Sequence, residues 1–247
     1  MRPLADIYSV WWADLRMLRH LWFRFLVTSL VSPALYLVAF GYGLGRGTTV
    51  EGTKYLEFVI PGIIALTAMN TSFSSAGMKL NVDRLFYRSF DEMLMAPVGS
   101  VSLVIGKSVI GVVRGLVICA IFVVIGLALS SMSITPLFVL TLLVASFLFA
   151  FMGVLAAMMT RSHQDMATFT AVLLTPMTFL GGTFFALSQV PDWLKALLYI
   201  FPLTHASLCL RAEALGKDFP WVSFAGLVLF TLFFFCLSVR AVRRASI

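Results

Sequence analysis

KLNVDRLFYRSFDEMLMAPVGSVSLVIGK, residues 79–107, is the only long charged interruption between apolar segments on its side of the chain's membrane pattern. It carries Lys79, Asp83, Arg84, Arg88, Asp91, Glu92 and Lys107. An ion in hydrocarbon costs about 2.5–3.5 kcal/mol on insertion scales, so the sequence places this segment in water. Within it, Ser89-Phe90-Asp91-Glu92 has the form of a capping box, and Pro97 stops the helix that starts there. The expectation is a short helix over 90–96 with two carboxylates at its positive end and Phe90, Met93 and Leu94 as an apolar face. Such a helix reads as a docking knob, and a solvated connector is the plainer alternative.

The runs flanking this segment decide the class. Sixty per cent of the 247 residues are apolar and 12% are charged, against about 25% charged in soluble domains. The chain is read as an all-α integral membrane protein. Its net charge of +7 comes from basic residues beside apolar runs, which points to membrane topology and away from nucleic acid. Cys119, Cys209 and Cys236 have no paired spacing and read as small apolar packers.

Upstream, Phe58–Met78 is a charge-free run of 21 residues with a polar band, Asn70, Thr71, Ser72, Ser74 and Ser75. Polar groups in lipid seek partners, so the band faces other helices or a solvated path. Asn70 and Ser74 are candidates for such a path. Phe25–Gly45, also 21 residues, is the first span, with Gly41 and Gly45 spaced for close helix approach. Residues 46–57 form a polar loop. Residues 1–24 place Ile7, Trp11, Leu15 and Trp22 on one stripe and Asp6, Arg16, His20 and Arg24 opposite, an amphipathic helix lying in the membrane surface.

Downstream, Gly115–Thr160 has no charge for 46 residues, enough for two crossings: about Ser108–Leu129 and Pro136–Thr160, turning at Ser130-Ser131. Arg114, two turns into the third span, either snorkels to the surface or meets an anionic group. After a tight turn at 161–165, a fifth span ends at Gly181-Gly182. Residues 183–218 then open a short helix at Pro191-Asp192-Trp193 and are interrupted by Pro202. Ala196–Leu210 is charge-free for only 15 residues, too short to cross, so this stretch, which includes His205, reads as a re-entrant helix pair. Phe219–Val239 is the sixth span. Six spans put both termini on one side. With that side and 79–107 inside, twelve of the 18 Lys and Arg residues are inside and five, Arg46, Lys54, Lys195, Arg211 and Lys217, are outside. The positive-inside rule is satisfied.

Chemistry is sparse. Gly106-Lys107-Ser108 ends like a phosphate-binding loop, but Val101 stands where its first glycine is required. His20, His163 and His205 are too scattered for a metal site or a nucleophile pair. Few ionisable groups lie deep in the spans, which argues against ion coupling. The expectation is a chain that is not an enzyme and binds neither cofactor nor metal.

An N-terminal amphipathic helix, six spans, the FDEMLMAP helix after the second, and FLGGTFFALSQVPDWLKALLYIFPLTHASLCLRA before the last resemble the type-2 ATP-binding-cassette transporter permeases. The likeness is strongest to the branch of nodulation lipo-oligosaccharide, drug and polysaccharide exporters. The resemblance implies two domains of interest: residues 1–24 as an interfacial helix and 25–247 as the transmembrane domain. It further implies a second permease copy and a separate cytosolic ATPase holding ATP and Mg. Arg88, Phe90, Asp91, Glu92, Met93 and Leu94 would form the coupling helix seated on that ATPase. Gly181, Gly182, Trp193, Pro202 and His205 would form an outer gate. Family substrates run from glycolipids and polysaccharides to hydrophobic drugs, and the setting is a bacterial inner membrane with cytoplasmic termini. An ATP-independent carrier or channel, or a lipid-modifying membrane enzyme, is the alternative.

Overall fold

A computed structural model describes residues 6–12, 22–45, 47–87, 89–95 and 98–245. Residues 6–12 form helix α1; residues 13–21 of the expected interfacial helix lie outside the described residues. Helix α2 runs Trp22–Tyr36 and continues as a π-helix over Leu37–Leu44. A two-stranded hairpin, β1 Thr49–Val50 and β2 Thr53–Lys54, occupies what the sequence presents as a plain polar loop. Its turn residues Glu51 and Gly52 both have positive φ, 52° and 77°, the backbone of a tight hairpin turn.

Helix α3, Tyr55–Leu85, is 31 residues long and is the axis of the bundle. Helices α4 (Ser89–Met95), α5 (Ser100–Leu129) and α6 (Pro136–Met159) follow. Next, α7 runs His163–Phe169 and Thr175–Leu180, joined by a π-helical turn at Thr170–Leu174. Pro176, which has no N–H to donate, sits just after that wide turn. The re-entrant pair is α8 (Asp192–Leu198) and α9 (Pro202–Ala214), bent by 98° at the break. Helix α10, Trp221–Ala245, closes the chain.

Helices α2, α3, α5, α6 and α10 are each long and apolar enough to cross a bilayer. The α7 run covers 18 residues between His163 and Leu180, about 27 Å at helical rise, and the bent α8–α9 pair makes a sixth candidate span if it is counted as one. The protein is an all-α integral membrane protein.

Small residues bring α3 into contact with its neighbours. A Cβ on Gly77 would stand 2.7 Å from the Gly153 carbonyl of α6, and one on Gly111 would stand 2.6 Å from the Ser72 carbonyl. Gly41 serves the same purpose at the other end, where an added Cβ would meet Leu56 at 2.7 Å. Between bilayer helices, close backbone approach supplies dispersion that apolar burial cannot.

Two boundaries differ most from the sequence reading. Helix α3 extends seven residues past Met78, and α5 begins eight residues before Ser108. Residues 79–107 are therefore not a wholly solvated segment: Asp83 is 6% and Lys107 1% exposed. Lys107 Nζ lies 2.9 Å from Asp83 Oδ2 and Lys79 Nζ lies 3.4 Å from the same oxygen. Insertion scales price single ions; these charges are paired where α3 meets α5.

Candidate functional site

A cavity of about 720 Å³ lies between α2, α3 and α7, with Arg114 of α5 in its wall. Its α3 wall runs from Asn70 to Asp83, with Tyr87 just past the helix end, while Tyr36 of α2 and Thr178 and Phe179 of α7 carry it toward the hairpin end. Its walls are unusually rich in hydroxyls: Thr28, Ser29 and Ser32 from α2, Thr71, Ser74 and Ser75 from α3, and Thr170, Thr175 and Thr178 from α7. Thr28, Thr170 and Thr178 donate to backbone carbonyls of their own helices at 2.9 Å. The Arg114 guanidinium sits 4.4 Å from the centre of the Phe25 ring, held against α2 by cation–π attraction. Lys79, Asp83 and Tyr87 lie at the lower end of the groove.

Above Asn70, α3 contributes no residue to the groove wall. Every residue of α3 from Phe58 to Met69 is buried, and this half is tied together by polar bonds. The Arg211 guanidinium donates to the carbonyls of Phe58 (3.1 Å), Gly182 (2.8 Å) and Thr183 (3.3 Å), and lies 3.7 Å above the Phe58 ring. Tyr55 Oη donates to the Phe184 carbonyl at 2.8 Å. At the surface, Glu51 accepts from Lys217 Nζ at 2.9 Å and from Ser188 Oγ at 2.8 Å. Those two donors hold the Glu51 carboxyl below its ordinary pKa of 4.5.

The Lys107 end has its own polar joints. Arg84 donates to the carbonyls of Ala157 (2.6 Å) and Thr160 (2.5 Å) at the end of α6, where the helix leaves acceptors without intrahelical partners. Asn81 Nδ2 donates to Thr160 Oγ1 at 3.0 Å. Ser89, the first residue of α4, sends its hydroxyl back to the Asp83 carbonyl at 3.4 Å. The Phe90 ring is 1% exposed and packs with Leu80, Leu103, Val154 and Val242, with Met93 against the same cluster.

A family profile described as ABC-2 type transporter matches residues 5–215. The chain belongs to the ABC-2 type transporter family. It is similar to the inner membrane transport permease YadH of Escherichia coli K12, 27% identical over 241 residues that cover 96% of this chain and 94% of YadH. It is similar also to nodulation protein J of Bradyrhizobium diazoefficiens, 24% identical over 228 residues, 89% of this chain and 86% of that one. Nodulation protein J of Rhizobium meliloti is 25% identical over 225 residues. This ABC-2 chain is a transport permease and a multi-pass membrane protein.

The geometry sorts the residues that the sequence singles out. Asn70, Ser74 and Arg114, the three path candidates, share one cavity wall in the ABC-2 bundle. The rest of the polar band divides: Ser72 is fully buried between α3 and α5, beside Gly111, while Thr71 and Ser75 are buried at the groove edge. Of the coupling-helix residues, Arg88 and the Asp91 and Leu94 side chains lie outside the described residues. Phe90 is not available to a partner, because it fills a gap in its own bundle; this corrects the apolar face read from the sequence. Ser89, read from the sequence as the cap, is the first residue of α4, and its hydroxyl donates to the Asp83 carbonyl. Glu92 is exposed, and so are Met95 (88%), Phe86 (70%) and Tyr87 (65%).

In the re-entrant element, Gly181 ends α7 and packs on Leu203. Gly182 follows at φ +67°, a backbone that glycine adopts without strain. Pro202 opens α9, Trp193 is 71% exposed, and His205 is buried with Nε2 2.9 Å from the Tyr199 carbonyl. Arg211 is the residue that sequence reasoning missed. Counted there as an outer surface charge, it is 5% exposed and sits at the junction of α3, α7 and α9. Its only sequence signal is its place directly after the charge-free run Ala196–Leu210.

Proposed function

We propose that this ABC-2 permease is the membrane subunit of an exporter that moves an amphiphile, either a lipid-linked glycan or a hydrophobic drug, using ATP hydrolysed on a separate subunit. The observation that carries the reading is the hydroxyl-lined groove with Arg114 in its wall, which runs from Lys79, Asp83 and Tyr87 at the Lys107 end toward Tyr36 and Phe179 near the hairpin end. A polar headgroup would exchange water for the groove's hydroxyls while its apolar tail stays against lipid. The Lys107 end would face the cytoplasm, with both termini, in a bacterial inner membrane. There α4 would seat on the ATPase that holds ATP and Mg, presenting Glu92 and Met95 with Phe86 and Tyr87 beside them. Phe90 and Met93 would anchor the knob to α3 and α5, so that a push on α4 reaches the groove wall. The lipid-facing α2 and α7, which border the groove, would meet a second copy in a homodimer. The bundle itself would carry out no covalent chemistry.

The test is co-reconstitution with the ATPase subunit in proteoliposomes. The readout is ATP-dependent movement of a fluorescent glycolipid and of a rhodamine-type dye. ATP-driven flux that falls at least tenfold in Asn70→Leu/Ser74→Leu is expected. Flux without the ATPase would overturn the exporter reading in favour of a carrier or channel.

A further inference from the structure

We infer that Arg211 is the positioning residue that seals the groove at its hairpin end, by pinning the broken chain after α7 to the first turns of α3. The inference rests on the reading of the Asn70–Ser74 groove as the cargo route, and it concerns how that route is kept closed at one end.

The chain after α7 presents a physical problem. Once Gly181 and Gly182 end the helix, the carbonyls of Gly182 and Thr183 have no intrahelical donors, and both residues are buried. In a bilayer an unpaired carbonyl is costly. Arg211 answers both with one nitrogen, Nη2, and spends Nε on the Phe58 carbonyl of α3. The Phe58 ring takes the face of the same guanidinium. Three segments far apart in sequence, 58, 182–183 and 211, are thereby held by one planar cation.

The site is built around that cation. Gly62 leaves the space: a Cβ there would stand 2.8 Å from the Thr183 carbonyl and 3.1 Å from Arg211 Nη2. Among the described residues no salt bridge of Arg211 to a carboxylate is formed. The guanidinium is thus held by backbone dipoles and a ring, an arrangement that depends on its fork and that a lysine ammonium does not reproduce. A surface lysine pair could close the same loop; a buried fork fixes its geometry. The pin sits where the fully buried stretch Phe58–Met69 begins, and it holds Gly182 and Thr183, a few residues beyond Thr178 and Phe179, which line the groove's hairpin end. Loosening it frees the 182–183 chain from α3 and opens a way down to Asn70.

A merely structural arginine would lower stability without changing which side of the membrane reaches the groove, so the experiment reads sidedness. The full chain carrying Ser74→Cys is reconstituted in liposomes and treated with a membrane-impermeant maleimide from either side. Modification of residue 74 is followed by mass spectrometry, so that Cys119, Cys209 and Cys236 are counted separately. With Arg211 intact, labelling is expected from the Lys107 side alone. With Arg211→Gln, and equally with Arg211→Lys, labelling from the hairpin side is expected to rise at least tenfold. Gly62→Ala, which leaves Arg211 in place and wedges the joint, should do the same and serves if the arginine variants fail to fold. Variants that run as folded protein on size exclusion yet keep one-sided labelling would overturn the pin. The measurement needs no cargo and no ATPase. Failure of ATP-driven flux would therefore count against the exporter reading alone.

Discussion

Lys107 Nζ lies 2.9 Å from Asp83 Oδ2, with both side chains more than nine-tenths buried where α5 crosses the end of α3. The same carboxylate receives Lys79, and the Asp83 carbonyl receives the Ser89 hydroxyl, so the joint connects α3, α5 and the start of α4. A push delivered to α4 would meet a braced corner.

Breaking this pair from one side should be costly. Lys107→Met leaves a buried carboxylate with the longer Lys79 contact, and removing one partner of a buried ion pair costs about 3–5 kcal/mol. The double change Asp83→Asn/Lys107→Met should recover most of that loss. Thermal unfolding of the four species in detergent gives the cycle, and additive losses would show that the pair is not coupled.

Phe90 and Met95 should separate packing from docking. Phe90→Ala empties a fully buried site and should lower stability by about 3–5 kcal/mol. Met95→Asp and Glu92→Lys lie on the exposed face and should leave stability within about 0.5 kcal/mol while weakening capture of the ATPase subunit. Pull-down beside a melting curve distinguishes the two, and a stable Met95→Asp/Glu92→Lys protein with full capture would remove α4's exposed face from the interface.

Arg84 should matter as a helix-end donor. Arg84→Ala leaves the Ala157 and Thr160 carbonyls without its two bonds, a loss of about 1–3 kcal/mol. Hydrogen exchange at the end of α6 should speed up, with little change at the hairpin end.

Glu51 sets a small acid-side dependence. Its folded pKa is depressed by Lys217 and Ser188, so its contribution is present above 4.5 and is lost as pH falls below 4.5 through the lower folded value. The pair is partly exposed, so the effect is held to about 1 kcal/mol or less. Melting temperature measured from pH 6 to pH 3 should drop less in Glu51→Gln than in the parent, and the difference should shrink in high salt.

Much of the architecture was legible because bilayer insertion is a one-dimensional constraint. Runs of about twenty apolar residues, the bias of basic charge and the helix breakers at Gly181-Gly182, Pro191 and Pro202 locate the helices and the re-entrant pair. Asn70 and Ser74 were also legible as path candidates, since polar side chains on a span demand a partner. The hairpin at 49–54 was not, because Glu51-Gly52 is a weak turn signal beside Asn-Gly. The inward Phe90 was not either, because a two-turn helix with apolar and charged sides reads the same whether its apolar side meets a partner or its own bundle.

By itself, then, the sequence determined that the chain enters the membrane repeatedly, where it breaks and which side chains are too polar to face lipid. Only the tertiary structure decided where the charges go. A single-residue hydropathy value treats each ion as alone, and it sends Asp83, Lys107 and Arg211 to water. Folding places two ammoniums beside the Asp83 carboxylate and three carbonyls with a ring around the Arg211 guanidinium, and these partners make burial stable.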